Sequence, residues 1–406
     1  MNSKLVMKFG GTSLGSVQKI EKVAEKIRNK LVKNKKIVVV VSAMSGHTNN
    51  LIKKTEFFSN CKFNPEYDSI LSTGEQLSAG LLALCLNRKK VNVRSVMGWQ
   101  IPILTNQNAG NAQIKFIDKN KILRLLEKYN VLIICGFQGV DQNDRITTLG
   151  RGGSDTSAVA VAVSIKSDLC EIYTDVDGVF TADPRYVKNA KKIPKISYEE
   201  TLEMASLGSK VLHPRSVELA MKYDIKLHVR NSFSSRNGTF LVKEDKEMEK
   251  ELVSGISSTE SESKITLLGI PDTPGVASKI FSPLTESNIN VDMIVQNITD
   301  DGKYTNLTFT VNNSESTKAV EALKKSKLNF KDIHVDTNIC KLSIIGVGMK
   351  NNVGVAQKMF ETLAKHRINI KVISTSEIKI SVLIALNKKK IALNALHKAY
   401  NLGKKK

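Results

Sequence analysis

Disulfides, metal clusters and bilayer spans all lack material in this sequence. Its 406 residues include five cysteines, Cys61, Cys85, Cys135, Cys170 and Cys340. Their odd number, wide spacing and mostly apolar surroundings exclude a disulfide framework and a zinc site, and fit reduced thiols in a core. The six histidines form no triad or metal-ligand spacing. No apolar run approaches the ~20 residues needed to cross a bilayer. The start, Met1-Asn2-Ser3-Lys4 leading into Leu5-Val6-Met7, has no apolar signal region with a cleavage site. A cytoplasmic protein with no membrane partner is expected. Neither GxxxxGK[ST] nor GxGxxG occurs, so the P-loop and the dinucleotide fingerprint are unavailable. Acidic residues are short too: 39 Asp and Glu face 61 Lys and Arg, a net charge of +22. Only 11 of those 61 cations are arginine, and lysine is the weaker choice for bidentate phosphate or base recognition. Many lysines, such as Lys19, Lys22, Lys26, Lys30 and Lys33, fall on the polar face of a helical pattern. A solvated surface is expected, and no nucleic-acid partner.

What is present is a globular balance, 41% apolar and 25% charged, in a chain longer than one core usually fills. Up to about Val242, β-branched runs (Leu5 to Phe9, Ile37 to Ser42, Val91 to Val96, Val131 to Cys135, Glu171 to Thr174, Lys226 to Val229) alternate with stretches of helical period. Strands apolar on both faces and separated by helices predict an α/β fold, a mostly parallel sheet sandwiched between helix layers. Ligands then belong beyond the carboxyl ends of the strands. Residues 243–263 are charged and Ser-rich and mark a boundary. Beyond it a repeat emerges: Gly275-Val276-Ala277 matches Gly354-Val355-Ala356, Phe281 matches Phe360, and Ile289-Asn290 matches Ile368-Asn369, all offset by 79. Each copy reads strand, helix, strand, strand, helix, as in a small ferredoxin-like module. The first copy, 264–337, ends in a fourth strand near Asp332 to Val335, whereas the second, 338–406, stops one strand short. The apolar run Leu252 to Ile256 is the available filler, so it is expected to pair into the second module's sheet.

Three motifs suggest chemistry. Lys8-Phe9-Gly10-Gly11-Thr12-Ser13 joins the first strand to a helix, and two glycines, following amides and a mobile cation make either a phosphate cradle or an ordinary strand-to-helix turn. Leu149-Gly150-Arg151-Gly152-Gly153-Ser154-Asp155 opens an apolar helix, and three glycines around an arginine form an anion nest with a carboxylate binder at its lip. Tyr173-Thr174-Asp175-Val176-Asp177-Gly178-Val179-Phe180, running on to Asp183-Pro184-Arg185, sets aspartates after a strand, suited to a metal, a ribose or a turn. Ser72 to Glu75 and Val41 to Gly46 are small-residue loops beside helices or strands. His213, in Leu212-His213-Pro214-Arg215, reads as a structural histidine beside a proline turn.

Lys8 to Ser13, Ser42 to Gly46, Ser72 to Glu75, Gly150 to Asp155, Thr174 to Gly178, Asp183 to Arg185 and Leu212 to Arg215 occur in the order found in aspartate kinases, of the amino-acid kinase superfamily. The repeated tail resembles their paired ACT regulatory domains, so the likeness spans nearly the whole chain, in the monofunctional form. The resemblance implies an amino-acid kinase domain over 1–242, a linker over 243–263 that lends strand 252–256 to the second ACT module, and ACT domains over 264–337 and 338–406. It implies phosphorylation of the L-aspartate side chain by ATP with Mg²⁺, the metal held mainly through the phosphates and not by a protein metal site. Lys8 and Asp155 would be catalytic. Phe9, Gly10, Gly11, Thr174, Asp175, Phe180, Asp183, Arg185 and Lys210, with Lys8, would bind the nucleotide. Ser42, Thr48, Glu75, Arg151, Ser154 and Asp155 would bind aspartate, with Arg151 on its α-carboxylate and Glu75 on its ammonium. Lysine or threonine is the expected effector, held near Asp272, Thr273, Gly275, Asn290, Asp292 and Gln296, and a homo-oligomer through the ACT domains is expected. A kinase with another acceptor, or a non-catalytic amino-acid sensor, are the competing readings.

Overall fold

Every residue of Leu5–Phe9, Ile37–Val41 and Val131–Cys135 is buried, a condition that only a sheet covered on both faces satisfies. A computed structural model of the chain describes residues 4–33, 35–58, 64–207, 211–243, 252–299, 302–326, 328–349 and 352–404. It divides into two units, Met1–Val179 with Lys192–Ser206 and Lys210–Lys246, and Phe180–Lys191 with Leu207–Ser209 and Glu247–Lys406.

The first unit is built on an eight-stranded sheet in the order Lys195–Ser197, Thr239–Val242, Leu227–Asn231, Leu169–Thr174, Leu5–Phe9, Ile37–Val41, Val131–Cys135, Val93–Val96. All its pairings are parallel except Leu227–Asn231 with Thr239–Val242. Leu5, Met7 and Phe9 point to one face, where helix Val17–Leu31 packs through Ile20, Val23, Ala24 and Ile27 and helix Pro65–Arg88 through Ala79, Leu82 and Leu86. The first of these helices begins where the Ser16 side chain accepts the Lys19 amide, the second where Asn64 caps ahead of Pro65. The opposite face takes helix Gly153–Ser164, which lacks a polar side because nearly all of it is buried.

Among the described helices, Pro65–Arg88 is long and apolar enough to cross a bilayer, although no uninterrupted apolar run of that length occurs. Half of its apolar window is buried inside the protein, and it carries Asp68 and Glu75 there. A second sheet orders Ile114–Ile117, Ile103–Thr105, Gln138–Val140 and Ile146–Thr148. It is not foreseen from sequence, because strands this short carry too little alternation to register.

The second unit holds two antiparallel four-stranded sheets. One orders Val291–Ile298, Tyr304–Asn312, Glu262–Pro271 and Asp332–Asp336, with helices Val276–Glu286 and Ser316–Lys325. The other orders Val372–Thr375, Lys379–Ala385, Ile339–Ile345 and Gly255–Thr259, with helices Val355–Lys365 and Lys389–Ala399. The fourth strand of the second module therefore comes from the chain ahead of the first. Its ladder runs from Gly255 opposite Ile345 to Thr259 opposite Lys341, three residues later than the 252–256 run. Val253, ahead of the ladder, and Ile256, within it, fill that module's core. Of the 243–263 linker, residues 244–251 lie outside the described residues.

One boundary differs from the sequence reading. Phe180–Lys191 falls in the second unit, not in the domain drawn over 1–242. Gly255–Thr259 is the outer strand of its sheet, and the carbonyl of Thr181 accepts the Ile256 amide at 2.8 Å, covering that edge. Ala182 and Val187 are buried in the same core, Thr181 Oγ1 bonds His397 Nε2 at 2.9 Å, and the Lys389 ammonium lies 3.8 Å over the Tyr186 ring. Truncating Val187 removes two buried methyl groups, so Val187→Ala is expected to cost about 2 kcal/mol. Thermal unfolding measures that cost. Exchange of the Ile256 amide should quicken with it, and unchanged protection there would place the segment outside this core.

Candidate functional site

Two strand ends and a helix meet at one alanine. A Cβ at Gly11, in the turn after Leu5–Phe9, would lie 2.7 Å from the Ala43 carbonyl, and a Cβ at Gly74, on helix Pro65–Arg88, 2.7 Å from Ala43 Cβ. Both positions therefore demand glycine. With Ala43 held between them, its amide donates to Glu75 Oε1 at 2.9 Å. From the other side, Gly150 and Gly152 take positive φ of 76° and 71°, turning the chain from Ile146–Thr148 into the buried helix. Gly152 rests on the His213 ring, which a Cβ there would approach to 2.2 Å.

These turns enclose a cavity of about 320 Å³ lined by residues that include Lys8, Gly11, Ser42, Thr48, Glu75, Phe137, Arg151, Ser154 and Asp155. Lys8 Nζ meets Asp155 Oδ1 at 2.6 Å, both side chains nearly buried. Glu75 is 3% exposed, and its Oε2 has no hydrogen-bond partner among the described residues. Burial pushes its carboxyl up to about 8 from the usual 4.5, although the Ala43 amide and the Lys8 charge pull it down. Arg151 is exposed at the rim. One site thus combines a fixed ammonium, a carboxyl ready to ionise against an arriving cation, and a guanidinium suited to a carboxylate.

The expected acceptor residues Ser42, Thr48, Glu75, Arg151, Ser154 and Asp155 all line this cavity, as do Lys8 and Gly11. Of the expected nucleotide residues, Lys8 and Gly11 are there, and the other described ones are not among its lining. Phe9 is fully buried with its ring stacked on Tyr173 at 4.7 Å, because alternation in the first strand turns Lys8 one way and Phe9 the other. The Gly10 amide is engaged by the Tyr173 carbonyl at 3.2 Å, so it is not available to a phosphate. Thr174 and Asp175 lie outside the cavity and bond each other at 3.2 Å. Phe180, Asp183 and Arg185 sit in the second unit, where Arg185 grips Asp183 at 2.6 Å. Lys210 lies outside the described residues.

Of the expected effector residues, Gly275 has φ of 86° and caps helix Val276–Glu286, Asn290 and Gln296 are exposed, and the Asp272 amide bonds the Lys303 carbonyl. Asp292 is already taken: its carboxylate pairs with the buried Lys341, which also holds Glu262 at 2.8 Å. Sequence reasoning missed Phe137, whose positive φ of 67° sets it in the cavity wall, and gave no sign of the contacts behind Arg151.

The comparisons agree with this architecture. The profile described as the amino acid kinase family matches residues 3–231, and ACT domain profiles match 264–327 and 342–400. The aspartate kinase of Pseudomonas putida is 49% identical over 401 residues, 98% of this chain and 97% of that protein. The aspartokinase of Helicobacter pylori strain 26695 is 48% identical over 405 residues, covering 98% and 99%. In fold, the chain matches the crystal structure of Escherichia coli aspartokinase III in complex with aspartate and ADP, with a TM-score of 0.80 and 24% identity over 97% of this chain and 99% of that one. An amino-acid kinase domain followed by two ACT domains is therefore the class. The chain belongs to the aspartate kinases.

Because Glu75 titrates near 8 when folded and near 4.5 when unfolded, the folded state holds its proton across that window and the unfolded state does not. The group contributes stability that is fully present below pH 4.5 and is lost as pH rises through about 8. The ligand-free protein should lose stability across this window, and Glu75→Gln should flatten the slope. Denaturant titrations between pH 5 and 8.5 test this, and an unchanged slope in the variant would show that Glu75 is ionised throughout.

Proposed function

We propose that this chain transfers the terminal phosphoryl group of ATP to the side-chain carboxylate of L-aspartate in the cytoplasm. The product, 4-phospho-L-aspartate, is the entry to lysine (through diaminopimelate), threonine and methionine synthesis. The observation that carries this reading is the convergence of Lys8, Glu75 and Arg151 on one cavity. An amino acid presents an ammonium and an α-carboxylate, and Glu75 and Arg151 complement the two.

The acceptor carboxylate, with a reference pKa near ~3.9, is ionised at neutral pH, so no general base is needed. The obstacle is bringing an anion onto a polyanion, and the remedy is positioning and charge cancellation. Lys8 supplies the cation beside the transferred group, and Asp155, 2.6 Å away, keeps that ammonium aimed. Gly11, where the Ala43 carbonyl leaves no room for a side chain, brings bare backbone to the cavity wall for the phosphates to approach. Ser42, Thr48 and Ser154 complete the acceptor pocket. Mg²⁺, by resemblance, would enter on the nucleotide, where it would offset phosphate charge. Thr174, Asp175, Phe180, Asp183, Arg185 and Lys210 remain assigned to the nucleotide by resemblance alone.

If Lys8 acts mainly in the transition state, Lys8→Ala should lower kcat by about two decades or more with a much smaller change in aspartate KM. Arg151→Lys, which cannot form the planar fork, should raise aspartate KM and leave ATP KM nearly intact. Steady-state kinetics in both substrates separates these effects. Near-normal kcat in folded Lys8→Ala, or equal loss of both substrates in Arg151→Lys, would overturn the assignments.

The ACT modules are assigned to feedback control in a homo-oligomer. Lysine, threonine or both would bind near Asp272, Thr273 and Gly275 with Asn290, Asp292 and Gln296, favouring a less active arrangement through unequal affinity for two states. Since Lys341 occupies Asp292, an effector ammonium arriving there must compete with it, and binding in the millimolar range is expected. Calorimetry with each amino acid checks this, and no heat from either at millimolar concentration would remove the effector role.

A further inference from the structure

Arg151 stands on a turn that offers little of its own to hold it, with glycines on both sides and an exposed side chain. Behind that turn, two charged side chains that do not line the cavity grip the strand leading into it. Asp68, 0% exposed on helix Pro65–Arg88, accepts the Thr148 amide at 2.8 Å, the Thr148 hydroxyl at 2.6 Å and the Gly110 amide at 3.0 Å to each oxygen. Arg215, on helix Pro214–Tyr223, donates to the Leu149 carbonyl at 2.5 Å, the Ala112 carbonyl at 3.0 Å and Asn111 Oδ1 at 3.4 Å. Ala112 in turn donates to the Thr148 carbonyl at 2.8 Å. Thr148 and Leu149, the residues just before Gly150, are thus clamped from two helices.

Burying a carboxylate is costly, and apolar side chains would join a helix to a strand more cheaply. What hydrogen bonds add is direction and register, to within a fraction of an ångström. Asp68 and Glu75 are seven residues apart on one helix, two turns along the same face. The helix that delivers Glu75 to the cavity therefore also anchors the strand that delivers Arg151.

We propose that Asp68 and Arg215 are positioning residues that fix Arg151 relative to Glu75, setting the separation at which one amino acid's ammonium and α-carboxylate are recognised together. The inference rests on the proposed role of Arg151. Thr148→Val keeps the strand residue's shape and removes one bond to Asp68, and Asp68→Asn replaces an acceptor facing N–H donors with a donor. Each is expected to raise aspartate KM, by about threefold and about tenfold or more respectively, with ATP KM within about twofold. Thr148→Ser, which retains the hydroxyl, should stay near the parent value.

The discriminating measurement repeats both changes in an Arg151→Ala background, where they should add nothing further to aspartate KM, since the clamp they position is gone. Should Asp68→Asn fail to fold, the Thr148 series alone carries the cycle. Full additivity in the Arg151→Ala background, or equal rises in both substrates' KM, would reduce Asp68 to a structural role and overturn the inference. An Arg151→Ala enzyme with unchanged aspartate KM would overturn the reading of Arg151 itself, and the inference with it.

Discussion

The close stacking of Gly11, Ala43 and Gly74 is the constraint on which the cavity depends. Each contact leaves no room for a Cβ, so the first strand's turn, the second strand's end and helix Pro65–Arg88 approach closer than side chains permit. That approach delivers the Ala43 amide to Glu75 and sets this carboxyl beside Lys8 in a place too dry to keep it ionised when empty. The raised affinity for a proton and the unpaired oxygen are two consequences of one packing decision. A neutral Glu75 also spares the empty site a second buried anion next to Asp155, which Lys8 already neutralises.

Much of this was legible in the sequence because it is local. Fully apolar β-branched runs announced a covered sheet, and glycines beside Lys8 and Arg151 announced turns without side chains. The unreadable part depends on which way a residue faces or what lies across the fold. Phe9 and Lys8 are neighbours in a motif but point to opposite faces. Gly10 looks like a phosphate ligand until the Tyr173 carbonyl takes its amide. Phe180 to Arg185 continues a motif in sequence, yet its anchor is Ile256, some seventy residues on, whose partner strand is visible only once the sheet is assembled. Asp68 is a first-turn acid of its helix, and nothing local in the sequence marks the Thr148 strand that it meets.

The polar groups here fall into two kinds. Lys8, Glu75 and Arg151 meet a cavity, whereas Glu171 is satisfied within the protein by Lys30 at 2.7 Å, Tyr173 at 2.8 Å and Arg230 at 3.1 Å. Burial alone would raise Glu171, but the bonds from His228, Lys30 and Tyr173 outweigh it and hold it down at about 2. Two glutamates of similar burial thus end at opposite extremes, because one has all its partners in the fold and the other has a vacant oxygen. Between these two residues that difference in partners, and not burial, decides the outcome.

The same logic extends to the paired modules. The repeat offset of 79 relates Glu262 to Lys341 and Met293 to Val372. Lys341 bonds Glu262, and Met293 packs in one cluster with Ile339, Leu383 and Val372. Equivalent positions meeting each other are the mark of an approximate twofold relation between the modules. The symmetry is broken where it matters electrostatically, with acid in one copy and lysine in the other. A buried ion pair of this kind contributes little net stability, but lysine facing lysine or glutamate facing glutamate would be strongly disfavoured. The duplicated sequence therefore keeps a shared fold while specifying that first meets second. Drawing the second module's outer strand from ahead of the first serves the same end, since Gly255–Thr259 cannot reach its sheet without holding the intervening module beside it.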